Sequence, residues 1–219
     1  MDLSSLNSQQ REAVEHMDGP CCVVAGAGSG KTRVLTYRVA NLVERGIPAQ
    51  NILAVTFTRK AAGEMQERLQ PLIGDAALED LNVGTFHSIC YRILRDEWRA
   101  SSQPAFEPAQ EGWQKRTIKK ILDDINLDMD ISHMLGFISW QKNNLITPEM
   151  PLDLLGAPAF MEERLRQVYR LYEQAKQQER KLDFDDMLLW CYQMLKEDAR
   201  IRSKYQDQFK YILVDEFQD

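Results

Sequence analysis

Cys21-Cys22-Val23-Val24-Ala25 is a short apolar run that ends in Gly26-Ala27-Gly28-Ser29-Gly30. From Lys31-Thr32 an amphipathic stretch follows, with Val34, Leu35, Val39, Leu42 and Val43 along one face. A short apolar run, a glycine-rich turn and a helical periodicity, in that order, form the strand–loop–helix unit of a parallel sheet. The loop itself carries chemistry. Glycines let backbone N–H groups close around a polyphosphate without Cβ clashes, and the helix N-terminus adds a favourable dipole. Residues 25–32 thus stand in the context that a Walker A loop requires, although its strict form begins with Gly where this chain has Ala25. The candidate phosphate-binding residues are Ala25, Gly26, Ala27, Gly28, Ser29, Gly30, Lys31 and Thr32. Lys31 would reach the β- and γ-phosphates of ATP, and the Thr32 hydroxyl would ligate Mg²⁺. The alternative is a glycine-rich turn with an exposed lysine.

The remaining periodicities extend this pattern. Residues 7–17 read as a short helix with Asn7 or Ser8 as N-cap and Gly19-Pro20 as its stop. Residues 52–57 read as a second buried strand and 60–69 as a second helix. Residues 81–86 read as a third strand, leading into a helix through residue 99. Alternation of this kind predicts an α/β class with a parallel sheet and right-handed crossovers. From residue 113 to 181 the periodicity is helical throughout, interrupted at Pro148, Pro151 and Pro158, which reads as an inserted α-helical part. Residues 184–194 are helical again, and Tyr211-Ile212-Leu213-Val214 returns to strand.

Composition narrows the class less. The 219 residues are 44% hydrophobic and 27% charged, which suits one large domain or one domain inserted in another. The net charge of −6 does not decide for or against nucleic acid, because phosphates meet a local surface and not an average. Cys21, Cys22, Cys90 and Cys191 form no Cys-x-x-Cys pair, and buried reduced thiols are expected. The N-terminal stretch has no signal-peptide pattern and no apolar run is long enough to span a bilayer, so a soluble cytoplasmic protein with no membrane partner is expected.

The last strand delivers Asp215-Glu216-Phe217-Gln218-Asp219. A carboxylate at a strand end, Asp215, can hold Mg²⁺ in the Walker B role, and the adjacent Glu216 can act as base toward an attacking water. Lys31, Asp215 and Glu216 are the candidate catalytic residues, with Thr32 and Asp215 as candidate metal ligands. Alone, the cluster could equally be an acidic surface turn.

Together these segments resemble superfamily 1 helicases of the UvrD/Rep/PcrA group over essentially the whole chain. Residues 25–32 resemble motif I and Asp215-Glu216-Phe217-Gln218 motif II. Leu6-Asn7-Ser8-Gln9-Gln10 resembles the Q motif, in which Gln10 would read the adenine edge. Val55-Thr56-Phe57-Thr58-Arg59-Lys60 resembles motif Ia, with Arg59 where asparagine is more usual, and Gly84-Thr85-Phe86-His87-Ser88 resembles motif Ib. Residues 182–188, Leu-Asp-Phe-Asp-Asp-Met-Leu, resemble a further family signature. The resemblance implies a RecA-like P-loop NTPase subdomain (1A) over residues 1–93 and 183–219, with a helical subdomain (1B) inserted at 94–182. It implies an ATP- and Mg²⁺-dependent motor moving 3′ to 5′ on single-stranded DNA, meeting ss/ds junctions and possible repair or replication proteins. Thr56, Phe57, Thr58, Arg59, Lys60, Thr85, Phe86 and His87 would face DNA, a mixture of polar, cationic and aromatic groups that single-strand binders use.

Members of the group continue past motif II into a second RecA-like domain, 2A, so these residues are expected to be half a motor: binding MgATP weakly, hydrolysing it poorly and not unwinding. A non-catalytic nucleotide or single-strand binding module, the helicase part of a helicase–nuclease, and a P-loop kinase or unrelated ATPase are the competing readings. The basic stretch Arg164, Arg166, Arg170, Lys176, Arg180 and Lys181 reads as a solvated helix face, and Trp98, Trp113, Trp140 and Trp190 as core.

Overall fold

Residues 52 to 56 are buried without a break and form β1 (Ile52–Thr56). It lies between β2 (Asn82–Thr85) and β5 (Tyr211–Val214) in a parallel sheet. A strand covered on both faces has no polar side to show, which is why it reads as one aliphatic run. Leu53 pairs with Asn82 and with Ile212, and Thr56 pairs with Thr85, so the three strands finish at one edge. The computed structural model describes residues 2–26 and 28–218. It divides into two units, Met1–Ile89 with Asp198–Asp219, and Cys90–Glu197.

The sheet belongs to the first unit, with α1 (Ser8–Glu15), α2 (Lys31–Glu44), α3 (Arg59–Asp80) and α9 (Ala199–Gln208). Val39 and Leu42 of α2 and Met65 and Leu69 of α3 pack with Ile52 and Ala54 of β1 and Leu213 of β5. Burying each large aliphatic side chain contributes about 1.5–3 kcal/mol, so this helix-on-sheet layer outweighs any single polar contact around it. Helix ends are set by side chains. Asn7 and Gln10 form a reciprocal capping box on α1, the Thr58 hydroxyl accepts from Ala61 N at 3.1 Å, and Asp198 caps α9. Helix α3 runs well beyond the expected 60–69. It continues past Pro71 and breaks only at Gly74, whose φ of 78° and ψ of 166° a residue with a Cβ rarely adopts.

The expected strand at 21–25 is not part of the sheet. Those residues pair with no neighbour, Val24 is 93% exposed and Ile212 of β5 is 62% exposed. An apolar segment gains from strand pairing only where its side chains are also covered, and the described residues supply no such cover there.

In the second unit, α5 (Glu111–Asp124), α6 (Ile131–Asn143) and α7 (Glu162–Glu179) enclose a core of Ile118, Leu122, Met134, Ile138, Leu165 and Val168. Helix α4 (Phe86–Ala100) starts in the first unit and continues in the second, which ends with α8 (Phe184–Glu197). The break between α5 and α6 is made at Asn126, with φ of 52°, and not at a proline; the three prolines lie between α6 and α7. A parallel pair, β3 (Glu107–Pro108) with β4 (Lys181–Leu182), was not foreseen. Among the described residues no helix is long and apolar enough to cross a membrane.

Candidate functional site

Because β1, β2 and β5 run parallel and in near register, the residues following them collect at one edge of the sheet, where ligands of open α/β sheets bind. Asp215 follows β5, and its N–H still reaches the Val55 carbonyl at 2.9 Å. Across from it, the first turn of α2 presents Thr32, whose hydroxyl lies 3.4 Å from the Asp215 carboxylate. Two oxygen ligands separated by most of the chain thus meet at a strand end and a helix N-terminus. A hydroxyl and a carboxylate are the hard donors a Mg²⁺ ion takes, so this pair fits the ion.

The loop before α2 is shaped by glycine. Gly28 and Gly30 have φ of 75° and 89°, and Gly30 is the N-cap of α2. A Cβ on Gly30 would lie 3.0 Å from Gln10 Nε2. The Ser29 hydroxyl donates to the Gly26 carbonyl at 2.6 Å, and the Lys31 ammonium reaches back to the carbonyls of Ala25 at 3.1 Å and Gly26 at 3.4 Å. Ala27 lies outside the described residues. Gln10 spans two elements: its side-chain oxygen accepts from Asn7 N at 3.1 Å, and its Nε2 donates to the Ser29 carbonyl at 3.0 Å. Glu216 is exposed, with φ of 54°, beside the buried Asp215.

The segments after β1 and β2 split by burial. Thr56 is 1% exposed, and its hydroxyl has no hydrogen-bond partner among the described residues. Phe57, Thr58, Arg59 and Lys60 are exposed. Thr85 is buried and accepts from Ser88 N at 3.2 Å, which starts α4; Phe86 is exposed and His87 half-buried. Phe57 and Phe86 therefore follow the paired residues Thr56 and Thr85 on neighbouring strands.

Sequence reasoning missed a buried ionic cluster in the second unit. The Lys142 ammonium on α6 lies 2.5 Å from Asp183, 2.8 Å from Asp186 and 2.9 Å from Glu173, and Lys176 on α7 lies 3.1, 2.5 and 2.9 Å from the same carboxylates. Both lysines are fully buried, so Lys176 does not belong to a solvated helix face as expected. Burial opposes the charge on Lys142, but Asp186, Asp183 and Glu173 outweigh it and hold its pKa well above the usual lysine range. Burial likewise opposes ionisation of Asp183, and the two ammoniums overcome it, holding its carboxyl well below the usual range. The three carboxylates could by spacing hold a metal ion, but the ammoniums already stand among them. Asp183 and Asp186 also cap α8 reciprocally, through N–H bonds of 2.8 and 3.0 Å. This assigns a structural task to the 182–188 signature.

Two further expectations are corrected. Cys21 and Cys22 are exposed and only Cys191 is buried, because the segment at 21–25 lacks cover. Trp113 packs against the core of the second unit and Trp98 and Trp190 pack on each other, but Trp140 is 46% exposed with its indole N–H donating to Asp153 at 2.9 Å, a polar partner at the surface being available to it.

Comparison with known proteins identifies the family of the chain. Residues 6–219 match the family described as UvrD/REP helicase N-terminal domain. The chain is 42% identical over 222 aligned positions to the ATP-dependent DNA helicase PcrA of Bacillus subtilis (strain 168), covering 99% of this chain and 30% of that protein. It is 40% identical to PcrA of Staphylococcus aureus (strain Mu50) and 37% identical to PcrA of Leuconostoc citreum, covering 30% and 29% of those proteins. The chain thus spans about three tenths of the length of the curated relatives it matches.

Proposed function

The chain belongs to the UvrD/REP helicase N-terminal domain family, and from that premise we propose that it forms the ATP-binding part of a DNA helicase that moves 3′ to 5′ on single-stranded DNA. The observation that carries this reading is the approach of Thr32 to Asp215, which joins the glycine-rich loop to the acidic strand end at 3.4 Å. Residues 1–93 and 183–219 act as a RecA-like P-loop NTPase subdomain and 94–182 as the inserted helical subdomain. Backbone N–H groups of residues 25–30 and the α2 N-terminus cradle the phosphates. Lys31 releases the Ala25 and Gly26 carbonyls to reach the β- and γ-phosphates. Thr32 and Asp215 would hold Mg²⁺, which would neutralise phosphate charge there. Glu216 orients the attacking water and takes its proton. Gln10 turns its amide from Ser29 to the adenine edge.

Phe57 and Phe86 are the stacking faces for bases, and Thr58, Arg59, Lys60 and His87 the groups that follow the DNA backbone up to an ss/ds junction. Thr85, being buried, acts there by holding its turn through the Ser88 N–H; the buried Thr56 fills the strand end without such a bond among the described residues. The second wall of the ATP cleft, a 2A domain with its arginine fingers, comes from outside these residues. Alone, they bind MgATP weakly and do not unwind DNA. The whole protein works in the cytoplasm with repair or replication proteins.

Titration of the 219-residue chain with a fluorescent MgATP analogue tests this reading, with Lys31→Ala as control and hydrolysis followed with and without oligo(dT). Binding that Lys31→Ala abolishes, with little turnover under either condition, is the expected result. Equal binding by both proteins would remove the assignment of the loop. Gly30→Ala should weaken the same binding about tenfold, since about 1–2 kcal/mol of left-handed strain falls on the loop and the new Cβ presses on Gln10. A dissociation constant within twofold of the native value would show that Gly30 does not set the loop.

A further inference from the structure

Where α5 passes into α6, the second unit forms a cavity of about 400 Å³ that lies outside the site above. Its floor is apolar: Leu122 and Leu127 are buried, and Met129 and Ile131 half-buried. Its charged lining is Lys119, Asp123 and Asp128, all exposed. The wall is tied down by backbone and side-chain bonds. Asn126 turns the chain with φ of 52°, and the Leu127 N–H donates to the Leu122 carbonyl at 2.9 Å. Arg164 of α7 donates to the carbonyls of Ile125 at 2.9 Å and Asn126 at 2.8 Å. Asp130 caps α6 through the His133 N–H at 2.9 Å. The volume is at the low end for ligand pockets, which suits one or two large apolar side chains.

Charge decides what brings them. Residues 119–131 carry four aspartates, Asp123, Asp124, Asp128 and Asp130, and two lysines, Lys119 and Lys120. Asp123 and Asp128 have no ion-pair partner among the described residues, and the Arg164 guanidinium that reaches this loop is occupied by carbonyls. Such a rim repels phosphates and attracts Lys and Arg side chains. Lys119 offsets the negative charge on one side, so a partner's cations belong over Asp123 and Asp128. From this arrangement we infer that the face docks a basic segment of a partner protein. One leucine- or phenylalanine-sized side chain of that segment sits on Leu122, Leu127, Met129 and Ile131, and cations beside it meet Asp123 and Asp128. An apolar anchor in a pocket carries most of the affinity, and the charged rim fixes the register and speeds the encounter.

Because the whole chain is acidic, with a net charge of −6, the test has to separate local from general attraction. The full chain is titrated into a fluorescein-labelled peptide of about twelve residues, two leucines set between lysine pairs, and anisotropy is followed. Asp123→Lys and Asp128→Lys are each expected to weaken binding about fivefold or more. Glu79→Lys makes the same charge change at an exposed position of the first unit and should leave binding within about twofold. Alanine in place of the peptide's leucines should weaken it more than about tenfold. Amide shifts in the NMR spectrum should centre on residues 119–131. Equal binding of a peptide with glutamate for lysine would overturn the proposal, as would a loss in Glu79→Lys matching that in Asp128→Lys. Displacement of the peptide from this face by oligo(dT) would assign the face to nucleic acid instead. A concentration-dependent dimer that Asp128→Lys abolishes would assign it to a second copy of the chain.

Discussion

Replacing Lys176 with methionine is expected to lower the stability of the chain by about 3–5 kcal/mol, a large share of the roughly 5–15 kcal/mol that a domain has. The side chain is fully buried and its ammonium faces Glu173, Asp183 and Asp186. Methionine fits the space, so little of the loss comes from packing. What is lost is compensation: three carboxylates remain against Lys142 alone, two of them buried. The ring of Tyr172, 5.2 Å from the Lys176 nitrogen, loses a cation partner as well. Urea unfolding should show a lower midpoint at unchanged slope. Adding Asp186→Asn to Lys176→Met should recover part of the loss, since it removes one stranded charge and keeps an oxygen for the Asp183 N–H. If Lys176→Met unfolds at the native midpoint, the cluster contributes nothing net.

The same cluster sets a pH window. Asp183 is depressed in the folded state, so its contribution is present above the unfolded carboxyl pKa of about 4 and fades as pH falls below it. Lys142 is raised, so its contribution is present below the unfolded lysine pKa of about 10.4 and fades only as pH climbs past it. Asp186 runs the other way: burial pushes its carboxyl up, so its ionisation costs stability as pH rises past the unfolded carboxyl pKa of about 4.

How much of this was legible in the sequence depended on how local each signal was. The sheet edge that gathers Thr56, Thr85 and Asp215 could be read because each sits at the end of a short apolar run, and because parallel strands finish together. The 21–25 segment carries an apolar run of the same kind but stays out of the sheet. Periodicity reports what a segment would bury, and cover is supplied by other parts of the fold. The Lys142 and Lys176 cluster was hidden for the converse reason, since Lys142 meets Asp183 across 41 residues, with the whole of α7 between them. One clue was local. Lys176 lies four residues after the buried Tyr172 and so continues the stripe of Leu165, Val168 and Tyr169 on α7. A lysine on an apolar stripe needs a buried counter-charge, and counting it among the solvent-facing cations overlooked its phase. The Gln10 amide could be placed by motif, but its bond to the Ser29 carbonyl required the folded loop.

Glu216→Gln should separate binding from chemistry. In a helicase of the relatives' full length carrying these residues, it is expected to cut ATP hydrolysis by about 10²–10⁴, the range a positioned general base contributes. Glutamine keeps the shape of the side chain but cannot take a proton from water. MgATP affinity should change little, because the phosphate loop and the Thr32–Asp215 pair stay intact. The backbone supports this division. The Asp215 N–H is tied to β1 through the Val55 carbonyl, while Glu216 leaves the strand at a φ of 54° and projects an exposed carboxylate beyond the buried one. A base must reach solvent to meet the water it activates, and a metal-holding carboxylate must not wander. Single-turnover hydrolysis with saturating MgATP and oligo(dT), set beside equilibrium binding of the same variant, checks both halves. Near-native turnover would assign the base elsewhere. Loss of binding together with turnover would mean that Glu216, and not Asp215 alone, holds the metal.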